Sequence, residues 1–187
     1  MVALDNSSSP ISGVFNEGSS SSSPSPKKNT KKMSKFDYSK AEGLPNTVLE
    51  KIHKLGGDGV VLIIQKTLRA TDLNDHHGRV SLPKSEMNPS SLMFLNPVER
   101  EYLNSDGDKN GRAKMVVGFI EPSGKMNEIT LGTWKVGENK DKTMKRMYNL
   151  MHTWNDVVKE NKLKAGRLIQ LWAFRVQFKL WFALVPV

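Results

Sequence analysis

The stretch LIIQKTLRATDLNDHHGRVSLPK, residues 62 to 84, contains two unlike kinds of chain. Its start extends the preceding Val60-Val61 into VVLIIQK, a short β-branched run that predicts a buried strand. TLRATDLNDHHGR is polar and holds Asn, Asp and Gly, so it reads as a connection. VSLPK then alternates like a second, shorter strand.

Working outward, LPNTVLEKIHKLGG predicts a helix. Thr47 and Glu50 have capping-box spacing, with Pro45 just upstream. Val48, Leu49, Ile52 and Leu55 share a face, and Gly56-Gly57 supplies the stop. NPVEREYL predicts a short helix with Asn96 as cap and Pro97 at its first position. KMVVGFIE and NEITLGTWKV flank PSGK and predict a hairpin. RLIQLWAFRV and FKLWFALV alternate again. Many short strands with few helices point to an antiparallel barrel or sandwich rather than a doubly wound sheet.

The chain has 187 residues, room for one domain plus extras. It carries 28 Lys and Arg against 19 Asp and Glu, a formal charge of +9. That surplus favours nucleic acid or anionic surfaces as partners and is silent about fold. Cysteine is absent, which excludes disulfides and thiolate metal sites and suits a reducing compartment. The start of the chain has neither a basic n-region nor an apolar h-region, so no secretory signal is expected. The longest apolar region, LIQLWAFRVQFKLWFALV, is broken by Gln170, Arg175, Gln177 and Lys179 and reads as soluble core, not a membrane span. Residues 1–42 read as a disordered Ser/Pro/Lys-rich tail. Its Lys27, Lys28, Lys31 and Lys32 fit an import signal, a phosphate-binding arm or plain solubilisation. Residues 43–57 are expected to hold the first helix and 58–187 the β domain.

No catalytic chemistry emerges. DGDKNG, Asp106 to Gly111, matches half of a calcium loop, but Val117 occupies the position that needs a bidentate carboxylate. A polar turn is the better reading. His76-His77 beside Asp72 and Asp75 lacks a third His or Cys nearby, and adjacent residues of an extended chain point apart. No nucleophile elbow, Walker loop or dinucleotide fingerprint occurs. The expectation is a non-enzyme with no cofactor, no metal and no small-molecule substrate.

The order of landmarks resembles the plant B3 DNA-binding domain. Lys66 ends the first strand, Thr71-Asp72-Leu73 follows, and Arg79-Val80-Ser81-Leu82-Pro83 opens the second. Tyr148, Leu150, Trp154, Val158, Lys159, Glu160, Leu163 and Gly166 fall on the family's later pattern. The LP-type helix and FLNPVEREYL resemble a less-characterised branch, and the likeness runs from Leu44 to Val187. Thr153 stands where the family has Gly, and Arg167 where it has Asp.

That resemblance implies a mainly β fold, an open pseudobarrel of about seven mostly antiparallel strands with short helices. It also implies two loops that clasp the major groove of double-stranded DNA: an N-terminal arm, Thr67 to Arg79, and a C-terminal arm, Trp134 to Met147. Arg79 and Arg146 are the expected base readers, because guanidinium can bond guanine bidentately. Lys135, Lys140, Lys142 and Lys145 are expected on phosphate, joined by Lys66, Arg69 and Lys84 beside the first arm. His76-His77 stands where further cations would strengthen that arm. Sequence-specific binding in the nucleus, in transcriptional regulation and with other nuclear proteins nearby, is the leading expectation. A B3-fold protein-interaction module that has lost DNA affinity is the alternative, and RNA or single-strand binding ranks below both. Most aromatics are expected in the core, with Trp134 left open. NKDKTMKRMYNLMHTW, residues 139–154, read alone supports one helix, with Met144, Met147, Tyr148, Met151 and Trp154 at 3.6-residue spacing. The resemblance divides it instead into a cationic loop to Arg146, a strand near Tyr148 to Leu150, and a helix from about Thr153.

Overall fold

The computed structural model describes residues 36–105, 113–138 and 144–187, and for 135–138 and 144–146 it describes backbone only. Every described residue belongs to one compact unit, which falls within residues 34–187. The expected tail up to residue 35, with Lys27, Lys28, Lys31 and Lys32, and the Asp106–Gly111 turn lie outside the described residues.

Seven strands form one sheet: β1 (Gly57–Thr67), β2 (Arg79–Leu82), β3 (Lys114–Ile120), β4 (Met126–Glu138), β5 (Met144–Met151), β6 (Leu168–Val176) and β7 (Lys179–Pro186). Their order is β1-β6-β7-β3-β4-β5-β2, and every pairing is antiparallel except β3 with β7. The sheet curls into an open half-barrel, as the resemblance implied. Strands consecutive in sequence, β1 and β2, stand at its two opposite edges.

Alternation places one face of each strand inside. Ile64, Val80, Leu82, Phe119, Leu131, Leu150, Leu171 and Phe182 meet in the main core, which Trp154 and Val157 close from α3 (Trp154–Glu160). A smaller cluster lies outside the curl, where Ile52 of α1 (Asn46–Lys54) packs on Ile120, Phe174 and Ala183. Gly118 permits this second layer, since a Cβ there would stand 2.0 Å from the indole of Trp181, its neighbour on β7.

The PSGK hairpin forms as predicted: Gly124, at φ +82°, donates to the Glu121 carbonyl, and Glu121 donates to that of Lys125. α2 (Pro97–Asn104) starts as predicted too, with the Asn96 side chain accepting from the Glu99 N–H and Glu99 reaching back to the Asn96 N–H. The cap proposed for α1 does not form. The helix begins at Asn46 with Pro45 at its N-cap, so Thr47 already lies inside the first turn and makes no capping bond.

Residues 36–42, expected in the disordered tail, are folded. Tyr38 sits in a 3-10 turn (Tyr38–Lys40), donates to the Glu86 carbonyl and accepts from the Gln65 N–H, while Gln170 donates to the Glu42 carbonyl. Phe36 and Tyr38, in edge-to-face contact, supply apolar surface that the Ser-rich stretch lacks. The opening of 139–154 is also longer in strand than predicted. β5 begins at Met144 rather than near Tyr148, because its backbone pairs with β4 through the cationic segment. No helix spans Thr143 to Glu160, and α3 starts at Trp154.

Candidate nucleic-acid interface

The connection from β1 to β2 bridges the open sides of the sheet and is the expected N-terminal arm. It holds a 3-10 turn (Ala70–Asp72) and a turn at 74–77, where Asn74 accepts from the His76 and His77 N–H groups. Asp72 organises it. The carboxylate accepts from Lys66 Nζ at 3.0 and 2.9 Å, from the Arg69 N–H at 2.9 Å and from the Ser81 N–H at 3.3 Å. Its carbonyl takes the Trp154 Nε1–H at 2.6 Å. Asn155 of α3 donates to the Asp75 carbonyl at 3.0 Å. The arm is thereby tied to both edge strands and to a core helix.

Lys66 therefore departs from its expected place. It is only 6% exposed, and besides Asp72 it donates to the Ser81 carbonyl at 2.9 Å. An ammonium enclosed in this way has exchanged water for a carboxylate and cannot also serve an exposed phosphate. Spacing in a strand shows that Lys66 ends it, but not that the second edge folds over that end.

The other three cations of this region remain at the surface or partly so. Arg69 forms a partly exposed ion pair with Glu86 at 3.1 Å, a contact that water screens. Lys84 places Nζ 5.0 Å from the Tyr148 ring centre, over a phenol whose pKa burial raises above its usual value. The guanidinium carbon of Arg79 lies 3.8 Å from the centre of the Trp134 ring. Both of these are cation–π distances. The contact of Trp134 with Arg79 left no signal in the sequence beyond the place of Trp134 at the base of the second arm.

That second arm is mostly a β-hairpin rather than a loop. β4 and β5 continue to pair through Trp134 with Met147, Lys135 with Arg146 and Val136 with Lys145, before a register irregularity near Glu138. Lys140 and Lys142 lie outside the described residues, and Lys135, Lys145 and Arg146 are described as backbone only. The correction is one of backbone: the resemblance implied a loop, yet the ladder hydrogen bonds carry the strands onward. β2 pairs with the other side of β5, Arg79 opposite Met151 and Leu82 opposite Tyr148. The end of the first arm and the root of the second thus share one three-stranded ladder.

A family model described as "B3 domain-containing protein At2g31720-like" matches residues 40–187. Among curated relatives, B3 domain-containing protein At1g05930 of Arabidopsis thaliana is 36% identical over 128 residues, 68% of this chain and 36% of that protein. B3 domain-containing protein At5g24050 of Arabidopsis thaliana is 33% identical over 123 residues, 66% of this chain and 34% of that protein. The chain thus spans about a third of the length of these relatives. A solved structure described as "Arabidopsis FUS3-DNA complex" aligns with 67% of this chain and 96% of its own, at 18% identity and a TM-score of 0.44. Among the described residues, no helix is long and apolar enough to cross a membrane.

Proposed function

Because the chain belongs to the B3 domain family, plant DNA-binding transcription regulators, we propose that it binds double-stranded DNA sequence-specifically and regulates transcription in the nucleus. The two arms would enter the major groove, with the hairpin lysines on phosphates and arginines on base edges. The observation that carries this reading is the shared β2-β5-β4 ladder, which brings Arg79 beside the root of a hairpin bearing Lys135, Lys140, Lys142, Lys145 and Arg146. Arg69 and Lys84 flank the same region, whereas Lys66 acts from within as a tie for the first arm.

Selection from random duplexes at stated salt tests it and is expected to recover a motif. About five phosphate contacts would give a log–log salt slope of roughly −4 to −5. Replacing Lys140, Lys142 and Lys145 together by Gln should flatten that slope by about 2 to 3. No enriched motif, or a slope untouched by the triple change, would count against the proposal.

A second reading, a partner-binding B3 fold with weak or lost DNA affinity, draws on exposed apolar side chains. Phe178 is 91% exposed, Val98 75% and Met93 72%. It predicts that binding to nuclear proteins survives neutralisation of both arms, while the unmodified protein retains no duplex.

A further inference from the structure

The turn that carries α3 into β6 is pinned at both ends. At the helix end Leu163 donates to the Val158 carbonyl at 3.0 Å and Lys162 to that of Lys159 at 3.3 Å, the paired bonds of a Schellman stop. Lys162 thereby takes φ +51°, in the left-handed region where glycine is the usual occupant. Leu163 is buried in the main core. At the strand end Gly166 donates to the Leu68 carbonyl at 2.9 Å, and Leu68 donates to the Arg167 carbonyl at 2.8 Å. Leu68 is the second residue of the first arm, so the turn is bonded to the root of that arm.

The same turn concentrates charge. Lys162, Lys164 and Arg167 are all exposed, and among the described residues none of them pairs with an acid. Glu160, the acid closest to them in sequence, is held by Lys125 at 2.7 and 3.0 Å. Like charges this near in the chain repel one another, and a bound anion relieves the repulsion. Exposed cations are ordinarily just solvated. Here the backbone tie to the arm gives the group a place on the molecule.

We propose that the turn from Lys162 to Arg167 is a third contact with double-stranded DNA, its three cations holding backbone phosphates beside the first arm. Phosphates line both borders of the groove an arm enters, and an element bonded to the root of that arm lies against one border. Such contacts add affinity and fix the register of the arm, and they read no base. This rests on the double-stranded DNA reading above.

The test measures affinity of the full chain for its selected duplex against salt. Combining Lys162→Gln, Lys164→Gln and Arg167→Gln is expected to flatten the log–log slope by about 2 to 3 and leave the selected motif unchanged. Lys162→Gly separates binding from folding. Glycine suits the left-handed backbone, so the thermal midpoint should hold or rise, while the slope falls by about 0.9. Lys179→Gln is the control for net charge. Lys179 is also exposed, but it pairs with Val176 at the far end of β6, about 26 Å along the strand from Leu168. That change should leave the slope as it was. A slope untouched by the triple change, a Lys179→Gln effect equal to that of Lys162→Gly, or an altered motif would overturn the inference alone. Failure of the unmodified protein to select any duplex would overturn the DNA reading and this inference together.

Discussion

Asp72 lies in a surface connection, yet its carboxylate receives Lys66, the Arg69 N–H and the Ser81 N–H, and its carbonyl receives Trp154. A buried ion pair is weak grounds for net stability, but removing one partner strands the other charge in a poor dielectric. Lys66→Met is expected to destabilise the domain by about 3–5 kcal/mol in a urea unfolding curve. Arg69→Ala, which breaks the partly exposed contact with Glu86, is expected to cost no more than about 1 kcal/mol. Equal midpoints for the two variants would show that Lys66 is no tie. The contrast marks what could be read from residue type. The cations at 66, 69, 79 and 84 were all visible as a basic group beside one connection. Which of them faces water depends on how two edges of a sheet meet, and no local spacing encodes that. Arg79 was legible as a candidate from its residue type and motif position, whereas the indole beneath it comes from a strand two places away in the sheet.

Elements were legible wherever local chemistry alone decides them. Asn96, Pro97 and Glu99 make the start of α2 almost independent of its surroundings, and the structure shows both capping bonds. Asn96→Ala should therefore lower stability by about 1 kcal/mol. Thr47→Ala should change it by a few tenths at most, since Thr47 lies past the N-cap and donates no capping contact. Thermal unfolding of the two variants side by side separates a true cap from a look-alike spacing. The same comparison explains the misread hairpin. The resemblance implied a loop over residues 134–147, and the spacing of Met144, Met147, Tyr148 and Met151 locally suits a helix. Pairing with β4 supplies backbone bonds that outweigh it, as context commonly does for strands. The segment 36–42 failed for a related reason: its few aromatics find partners in Gln65 and Glu86, which are distant in sequence.

At the level of the whole molecule, alternation and turn chemistry were enough to anticipate a mainly β, mostly antiparallel sheet. They could not give the strand order, because β1-β6 and β3-β7 pairings join distant parts of the chain. Such order is expressed in the three-dimensional closure of the core rather than in any window of sequence. That strand order bears on how the protein folds as it is made. β7, residues Lys179 to Pro186, follows the other six strands in chain order, yet it sits between β6 and β3. Without it the sheet falls into two separate pieces, β1-β6 and β3-β4-β5-β2. Leu180, Phe182 and Leu184 would also be missing from the main core. A chain still tethered at the ribosome before Lys179 emerges should thus be cleaved readily by a protease that spares the chain once β7 has cleared the exit tunnel. Early protection of such arrested chains would show that a subset of strands can stand alone. The expected result makes folding of this sheet an all-or-nothing event, with the nascent chain exposed to aggregation until β7 arrives.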